Sequence, residues 1–274
     1  MKKTIVTGAA GLLGSHLVPL LSKDSDVVAC GRETLDLSRP LDTAGLPDKV
    51  DSVFYLAQSS RFREFPDTAP DVFQVNTAQP LAMLDYARRA GASHFIYAST
   101  GGVYAPSDEV IGEDAPLASG MGFYPASKRA AEILAKAYAP FMTVVVLRFF
   151  FIYGPGQKSG MLVPRLIASV RDGQAITLQG EQGLRINPVH ASDAARATAA
   201  AARLDNSAIV NVAGPEELSL RQMCDLIGSS VGKEPIYNVE PGTSPRMVAA
   251  TERMSSLLER PTIRFEEAVR ELAR

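Results

Sequence analysis

The sequence predicts an α/β fold, a doubly wound parallel sheet with a small, discontinuous C-terminal substrate lobe. Three observations carry that expectation. Through residue 150, short apolar runs alternate with helical periodicity, as parallel βαβ units with right-handed crossovers require. The first of these runs ends in a glycine-spaced turn that opens the first helix. Beyond Gly154-Pro155-Gly156 the alternation gives way to turn-rich sequence and, later, to Pro235, Pro241 and Pro245.

In order, Thr4-Ile5-Val6 reads as a strand, Leu12 to Lys23 as a helix disturbed at Pro19, and Asp26 to Cys30 as the next strand. Ser52 to Leu56 is strand-like, and Asp71 to Ala90 carries Val72, Val75, Leu81, Leu84 and Ala87 at helical spacing. His94 to Ser99 and Thr143 to Phe149 are again strands, with a helix from Tyr124 to about Tyr138 between them. Later, Ala191 to Leu204 and Ser219 to Val231 read as helices and Ile209 to Val212 as a strand. The expected division is residues 1–150 plus 187–212 for the sheet domain and 151–186 plus 213–274 for the lobe. A cleft between them is the expected site for a small-molecule substrate.

The 274 residues are 46% hydrophobic and 21% charged, which excludes a wholly disordered chain. Lys plus Arg number 28 against 30 Asp plus Glu, a net charge of −2, so no general basic field is offered to nucleic acid or an anionic membrane. The apolar stretch from Met142 to Tyr153 is interrupted by Arg148 and too short to span a bilayer. Met1-Lys2-Lys3 reaches Gly8 after a few apolar residues and does not read as a signal peptide. Cys30 and Cys224 have no metal or redox spacing and read as two buried thiols, with a cytoplasmic location expected. His16, His94 and His190 read as structural, and no metal site is expected.

The turn Thr7-Gly8-Ala9-Ala10-Gly11-Leu12-Leu13-Gly14 spaces its glycines at 8, 11 and 14. Gly8 permits the tight turn, Gly11 lets backbone approach a pyrophosphate, and Gly14 lets helix pack closely on strand. The second strand ends in Gly31-Arg32, where a site preferring NAD usually offers a carboxylate. Arg32 can meet a 2′-phosphate with a forked contact, which favours NADP over NAD, although the adjacent Glu33 could serve a 2′-hydroxyl.

Tyr124 and Lys128 lie one turn apart at the start of a helix opened by Pro125. An ammonium beside a phenol favours phenolate, and a phenol so tuned exchanges a proton at a carbonyl or alcohol oxygen. Ser99 and Thr100 stand at the carboxyl end of a strand, where parallel sheets place ligand chemistry, and the Thr100 hydroxyl can hydrogen-bond the reacting oxygen.

These segments resemble the extended short-chain dehydrogenase/reductase superfamily, specifically the NAD(P)-dependent epimerase/dehydratase family. The likeness runs from the glycine turn through Leu56-Ala57, Val75-Asn76-Thr77, Ser99-Thr100-Gly101-Gly102-Val103-Tyr104 and Tyr124-Pro125-Ala126-Ser127-Lys128 to Tyr153-Gly154-Pro155-Gly156. It implies a Rossmann-type domain, a bound nicotinamide dinucleotide, and hydride transfer at a sugar-like or other carbinol or carbonyl carbon. Thr100, Tyr124 and Lys128 would be the catalytic triad. Gly8, Gly11, Leu12, Leu13 and Gly14 would hold the pyrophosphate, Gly31 and Arg32 the ribose flank, and Asp36 and Leu37 would lie near the adenine. Leu56, Ala57 and Gln58, counted by the family as following its fourth strand, would line the cofactor with Asn76 and Ser99 nearby. Phe150, after the family's sixth strand, would approach the nicotinamide. The resemblance also implies a homodimer through the helices at 71–90 and 124–138, with a sugar or sugar nucleotide among the candidate substrates.

Two departures narrow the chemistry. The family's 4,6-dehydratases carry Asp and Glu after the catalytic Thr, whereas this chain has Gly101 and Gly102, so dehydration is not expected. An Asn that helps hold the substrate diphosphate is replaced by Phe151, while Arg185 matches the family's phosphate-binding Arg. The expected function is therefore an NAD(P)-dependent epimerase or oxidoreductase with Tyr124 as acid and base. An NADPH-dependent reductase of a small carbonyl compound and a non-catalytic NADP-binding regulator are the alternatives.

Overall fold

The structure, a computed structural model, describes residues 1–273. The chain enters through β1 (Lys2–Thr7), α1 (Leu12–Leu21), β2 (Ser25–Cys30) and β3 (Ser52–Tyr55). α2 (Ala69–Phe73), a π-helical turn over Gln74–Ala78 and α3 (Gln79–Arg89) follow. β4 (His94–Thr100), α4 (Phe123–Lys136) and β5 (Thr143–Phe149) come next. Then come β6 (Ile152–Tyr153), α5 (Leu162–Asp172), β7 (Ile176–Gln179), β8 (Arg185–Ile186), β9 (Val189–His190), α6 (Ala191–Ala201) and β10 (Ala208–Val212). The chain ends through β11 (Leu218–Ser219), α7 (Leu220–Val231), β12 (Tyr237–Glu240), β13 (Arg246–Met247), α8 (Glu252–Leu257) and α9 (Phe265–Leu272).

The main sheet has the order β10-β5-β4-β3-β1-β2, with every neighbour parallel. Alternation along the strands sends residues to two separate cores. Ile5, Val53, Tyr55, Phe95 and Tyr97 pack with α3 and α4 on one face. Val6, Phe54, Ile96, Ala98 and Val210 pack with Leu13 and Leu17 of α1 and the alanines of α6 on the other. A sheet buried on both faces is what the near-continuous apolar strands required. A third core, around Val163, Leu166, Leu178, Ile186, Met223, Ile227 and Phe265, belongs to the C-terminal half. Met254 of α8 packs instead with the sheet's own core, so this stretch does not follow the lobe to which the sequence assigned it.

Three local expectations change. Between Gly31 and Lys49 the chain forms turns and no strand, so Ser52–Tyr55 and Thr143–Phe149 are the third and fifth strands of this sheet. Helix α1 runs through Pro19 to Leu21. The missing donor falls in its last turn, where little helix remains to disturb. The helix expected over Asp71–Ala90 is split by the π-turn, immediately before Pro80. Pro80 has no N–H for the carbonyls one turn back. The carbonyls of Val75 and Asn76 accept instead from the buried phenols of Tyr55 (2.6 Å) and Tyr97 (3.1 Å).

β1 pairs with β2 on one side and β3 on the other, which makes their boundary the topological switch point, the crevice where open α/β sheets bind ligands. Close approach there depends on glycine. A Cβ on Gly14 would stand 2.4 Å from the Gly8 carbonyl oxygen. Gly14→Ala is therefore expected to cost about 1–3 kcal/mol, read as a lower urea midpoint. Gly45→Ala, where a Cβ meets nothing within 4 Å, should stay within about 0.5 kcal/mol of the parent.

Candidate active site

The glycine turn lies at the carboxyl end of β1. Gly8 has φ 69°, and a Cβ on it would stand 2.8 Å from the Ala57 nitrogen. This lets the turn lie directly against Leu56-Ala57-Gln58, which leaves β3. Gly11 caps α1 in an extended conformation, with no side-chain cap and no acid in the first turn. The first-turn N–H groups of Leu12, Leu13 and Gly14 and the positive end of the helix thus suit an anion such as a pyrophosphate.

On the β2 side, Arg32 is exposed and stands 3.9 Å from an Asp36 oxygen, with Arg39 at 3.7 Å from the other. Ser38 donates to Asp36 through its hydroxyl (2.7 Å) and its N–H (3.0 Å). These bonds, ahead of the two guanidiniums, hold the Asp36 carboxyl below its usual range. Leu37, expected beside an adenine, is buried in the core against the sheet.

Tyr124 sits half-buried at the start of α4, which opens on Gly122 and Phe123 ahead of Pro125. Its hydroxyl donates to Gln58 Oε1 at 3.0 Å, and the Phe62 ring packs on its own at 4.7 Å between centroids. Burial pushes its pKa up to about 12, partly offset by the Thr100 hydroxyl. Thr100 ends β4 and accepts from the Gly102 N–H at 3.1 Å, which fixes its hydroxyl at the strand end.

Lys128 is 1% exposed. Its Nζ donates to the Ala98 carbonyl at 2.9 Å and lies 5.2 Å from the centre of the Tyr97 ring. Burial lowers its pKa to about 7, against an opposing pull from Glu132. The structure thus differs from the expectation that Lys128 acidifies Tyr124. Both groups are dominated by desolvation, which favours the neutral form of each.

Other expected residues divide. Asn76 is fully buried; its Oδ1 accepts from the Ser59 N–H (3.0 Å) and its Nδ2 donates to Ser127 Oγ (3.1 Å), so it braces the loop after β3 against α4. Ser99 faces α4, with its hydroxyl on Glu132 Oε1 at 2.5 Å. Phe150 is buried, and a Cβ on Gly101 would meet its ring at 2.5 Å. No side chain, and so no dehydratase-type carboxylate, fits at 101 while that ring stays in place. Phe151 holds φ 48°, the one positive value among the described non-glycine residues. Arg185 pairs with Glu217 at 2.8 Å.

Sequence reasoning missed three participants. Glu132 continues the Tyr124–Lys128 face by one more turn, a spacing that could have revealed it. Arg246 stands opposite Arg185 in the parallel β8–β13 register and makes a forked contact with the same Glu217 (3.1 and 2.7 Å). Phe62 reaches Tyr124 from a loop with no periodic signal.

A sequence profile of the NAD dependent epimerase/dehydratase family matches residues 4–213. The chain belongs to that family. The enzyme is 26% identical over 263 residues to an uncharacterized UDP-glucose epimerase, YtcB, of Bacillus subtilis, spanning 85% of this chain and 83% of that one. It superposes on the solved structure of MoeE5 in complex with UDP-glucuronic acid and NAD with a TM-score of 0.82, at 28% identity and covering 97% and 96% of the two chains. It superposes equally on a UDP-glucuronic acid 4-epimerase from Bacillus cereus in complex with UDP-glucuronic acid and NAD, with a TM-score of 0.83, 25% identity and the same 97% and 96% coverage.

Both solved structures hold NAD, so the preference for NADP drawn from Gly31-Arg32 finds no support among them. The geometry gives a reason: Asp36 stands beside Arg32 and balances the charge that a 2′-phosphate would need. Among the described residues, no helix is long and apolar enough to cross a membrane, and both cysteines are buried and unpaired.

The buried Lys128 makes stability depend on pH. Its folded pKa of about 7 lies below the ordinary 10.5, so the unfolded chain binds more protons between those values and stability rises with pH there. Urea titrations from pH 7 to about pH 8 should show a rise of at most about 1.4 kcal/mol per pH unit. Lys128→Met should remove that rise. An unchanged slope would show that the amine is not desolvated.

Proposed function

We propose that the enzyme is an NAD-dependent epimerase that inverts a carbinol carbon of a UDP-sugar. The observation that carries this reading is Tyr124, a half-buried phenol whose hydroxyl meets Gln58 from the loop after β3, one turn before Lys128 on the helix that packs against β4.

The glycine turn and the first turn of α1 would hold the dinucleotide pyrophosphate, with Leu56, Ala57 and Gln58 along its flank. The cradle fits such a group because no side chain caps the start of α1 and no acid stands in its first turn. When bound, the nicotinamide supplies a hydride acceptor and donor. Tyr124 takes the hydroxyl proton as the carbinol is oxidised to a carbonyl, and returns it when that carbonyl is reduced from the opposite face. Thr100 orients the oxygen on which this proton moves. Lys128, in its protonated form, steadies the phenolate that stands before the first proton transfer and after the second.

Arg185 and Arg246 would grip the substrate diphosphate, since two adjacent guanidiniums match phosphate oxygens. Phe151 leaves that grip without the family's Asn, so the arginines carry more of it. With Gly101 and Gly102 beside Thr100, no acid–base pair stands ready for water elimination, and the 4,6-dehydratase reaction is not part of this proposal. Exposed Phe73, Leu81 and Ile133, on α2, α3 and α4, would meet the same helices of a second copy, giving a homodimer.

The test is direct. Purified protein incubated with UDP-glucuronic acid or UDP-glucose should yield the 4-epimer, resolved by nuclear magnetic resonance, and mass spectrometry should find NAD bound. Tyr124→Phe should lower turnover by about 10²–10⁴-fold while thermal stability and NAD binding persist. A Tyr124→Phe protein with parental turnover would remove the phenol from the chemistry.

A further inference from the structure

A glutamate and an arginine, each 2% exposed, lie buried behind the site. Glu132 Oε1 accepts from Ser99 Oγ at 2.5 Å and from Arg148 Nε at 3.0 Å. Its Oε2 accepts from Arg148 Nη2 and Arg129 Nη1, both at 2.7 Å. The Arg148 guanidinium also lies 4.7 Å from the centre of the Tyr104 ring, whose hydroxyl donates to Asn211 Oδ1 at 2.8 Å. One carboxylate thus joins α4 to β4 and β5, and the network continues through Tyr104, just past the Gly101–Val103 turn, to β10.

Burying a charge is costly unless it is paired and hydrogen-bonded; here the charges are paired through a forked contact and each carboxylate oxygen accepts two hydrogen bonds. Its place is informative. Along β4, Tyr97 lies beneath Lys128, Ala98 accepts from Lys128, Ser99 donates to Glu132, and Thr100 ends the strand with its hydroxyl on the Gly102 N–H. Along α4, Tyr124, Lys128 and Glu132 follow one another by single turns. The strand and helix are therefore interlocked, with the ion pair at one end and the proposed acid–base pair at the other.

We propose that Glu132, clamped by Arg148 and Ser99, is a positioning residue that sets the placement and charge of Lys128 beside Tyr124. The proposal rests on the acid–base reading of Tyr124. Burial alone would raise the Glu132 carboxyl, but the hydrogen bonds and charge of Arg148, then Ser99 and Arg129, override it and hold the group ionised. Around Lys128, β4 presents the neutral Tyr97, and α4 presents Tyr124, Arg129 and Glu132. β5 presents Arg148 behind Glu132, and the π-turn presents the neutral Asn76 and Thr77. Asp71 of α2 is turned to Ser59. Glu132 is the anion of this set with a direct influence on the amine.

The experiment is a side-chain nuclear magnetic resonance titration of Lys128 in lysine-labelled protein, in the parent, Glu132→Gln and the Glu132→Met/Arg148→Met double variant. Glu132→Gln keeps the shape and removes the charge. The Lys128 midpoint should fall by about one pH unit, and the alkaline limb of kcat/KM with UDP-glucuronic acid or UDP-glucose should move down with it. The double variant removes both buried charges together, a replacement that folds tolerate. It should recover thermal stability yet keep a kcat/KM at least about tenfold below the parent. An unmoved Lys128 midpoint in Glu132→Gln, or parental kcat/KM in the double variant, would reduce the pair to packing and overturn the proposal. Full turnover in Tyr124→Phe would instead sink the acid–base reading, with the Lys128 titration left to stand on its own.

Discussion

The interlock between the end of β4 and the start of α4 is the constraint on which the site depends. A parallel strand presents alternate side chains to each face, so Tyr97 and Ser99 address α4 while Ala98 packs behind. Helical spacing presents Tyr124, Lys128 and Glu132 in a row. Neither period alone brings a phenol, an amine and a hydroxyl together. Their coincidence at one strand end does, and the β4–β5 register from His94–Thr143 to Thr100–Phe149 holds it in place.

A second constraint meets the first at the switch point. Gly8 and Gly14 allow the backbone of the first turn to lie against Ala57 and against its own helix. The loop leaving β3 then crosses toward α4, where Gln58 receives the Tyr124 hydroxyl and the Ser59 N–H meets Asn76. The π-turn contributes to the same joint. Pro80 prevents a regular helix, and the Tyr55 and Tyr97 phenols take up the carbonyls left over. Packing, hydrogen bonding and the placement of the candidate site are one problem with one solution here.

Much of this was legible in the sequence, and the reason is locality. The glycine turn, the Tyr124–Lys128 spacing and Thr100 at a strand end are each written within a few consecutive residues, and the strands announced themselves by apolar runs. What was not legible depended on distant partners. Arg148 meets Glu132 across the sheet, and Arg246 meets Arg185 through a register that no spacing encodes. The direction of the Lys128 amine, toward a strand carbonyl and a tyrosine ring, followed from burial and not from its neighbour one turn away. The segment 31–49 has no strong apolar alternation and formed turns where the family counts a strand. Asp36, read as an adenine neighbour, also stands against Arg32, a pairing the sequence reading did not draw.

Phe151 has a consequence of its own. A left-handed backbone is tolerated by asparagine and resisted by bulky side chains. This chain nonetheless holds a phenylalanine in that twist, at φ 48°. The phenyl ring sits between the core around Phe150 and that of the C-terminal half, and joins them. The ring is thus a rivet between two cores of the protein, adding rigidity at the seam.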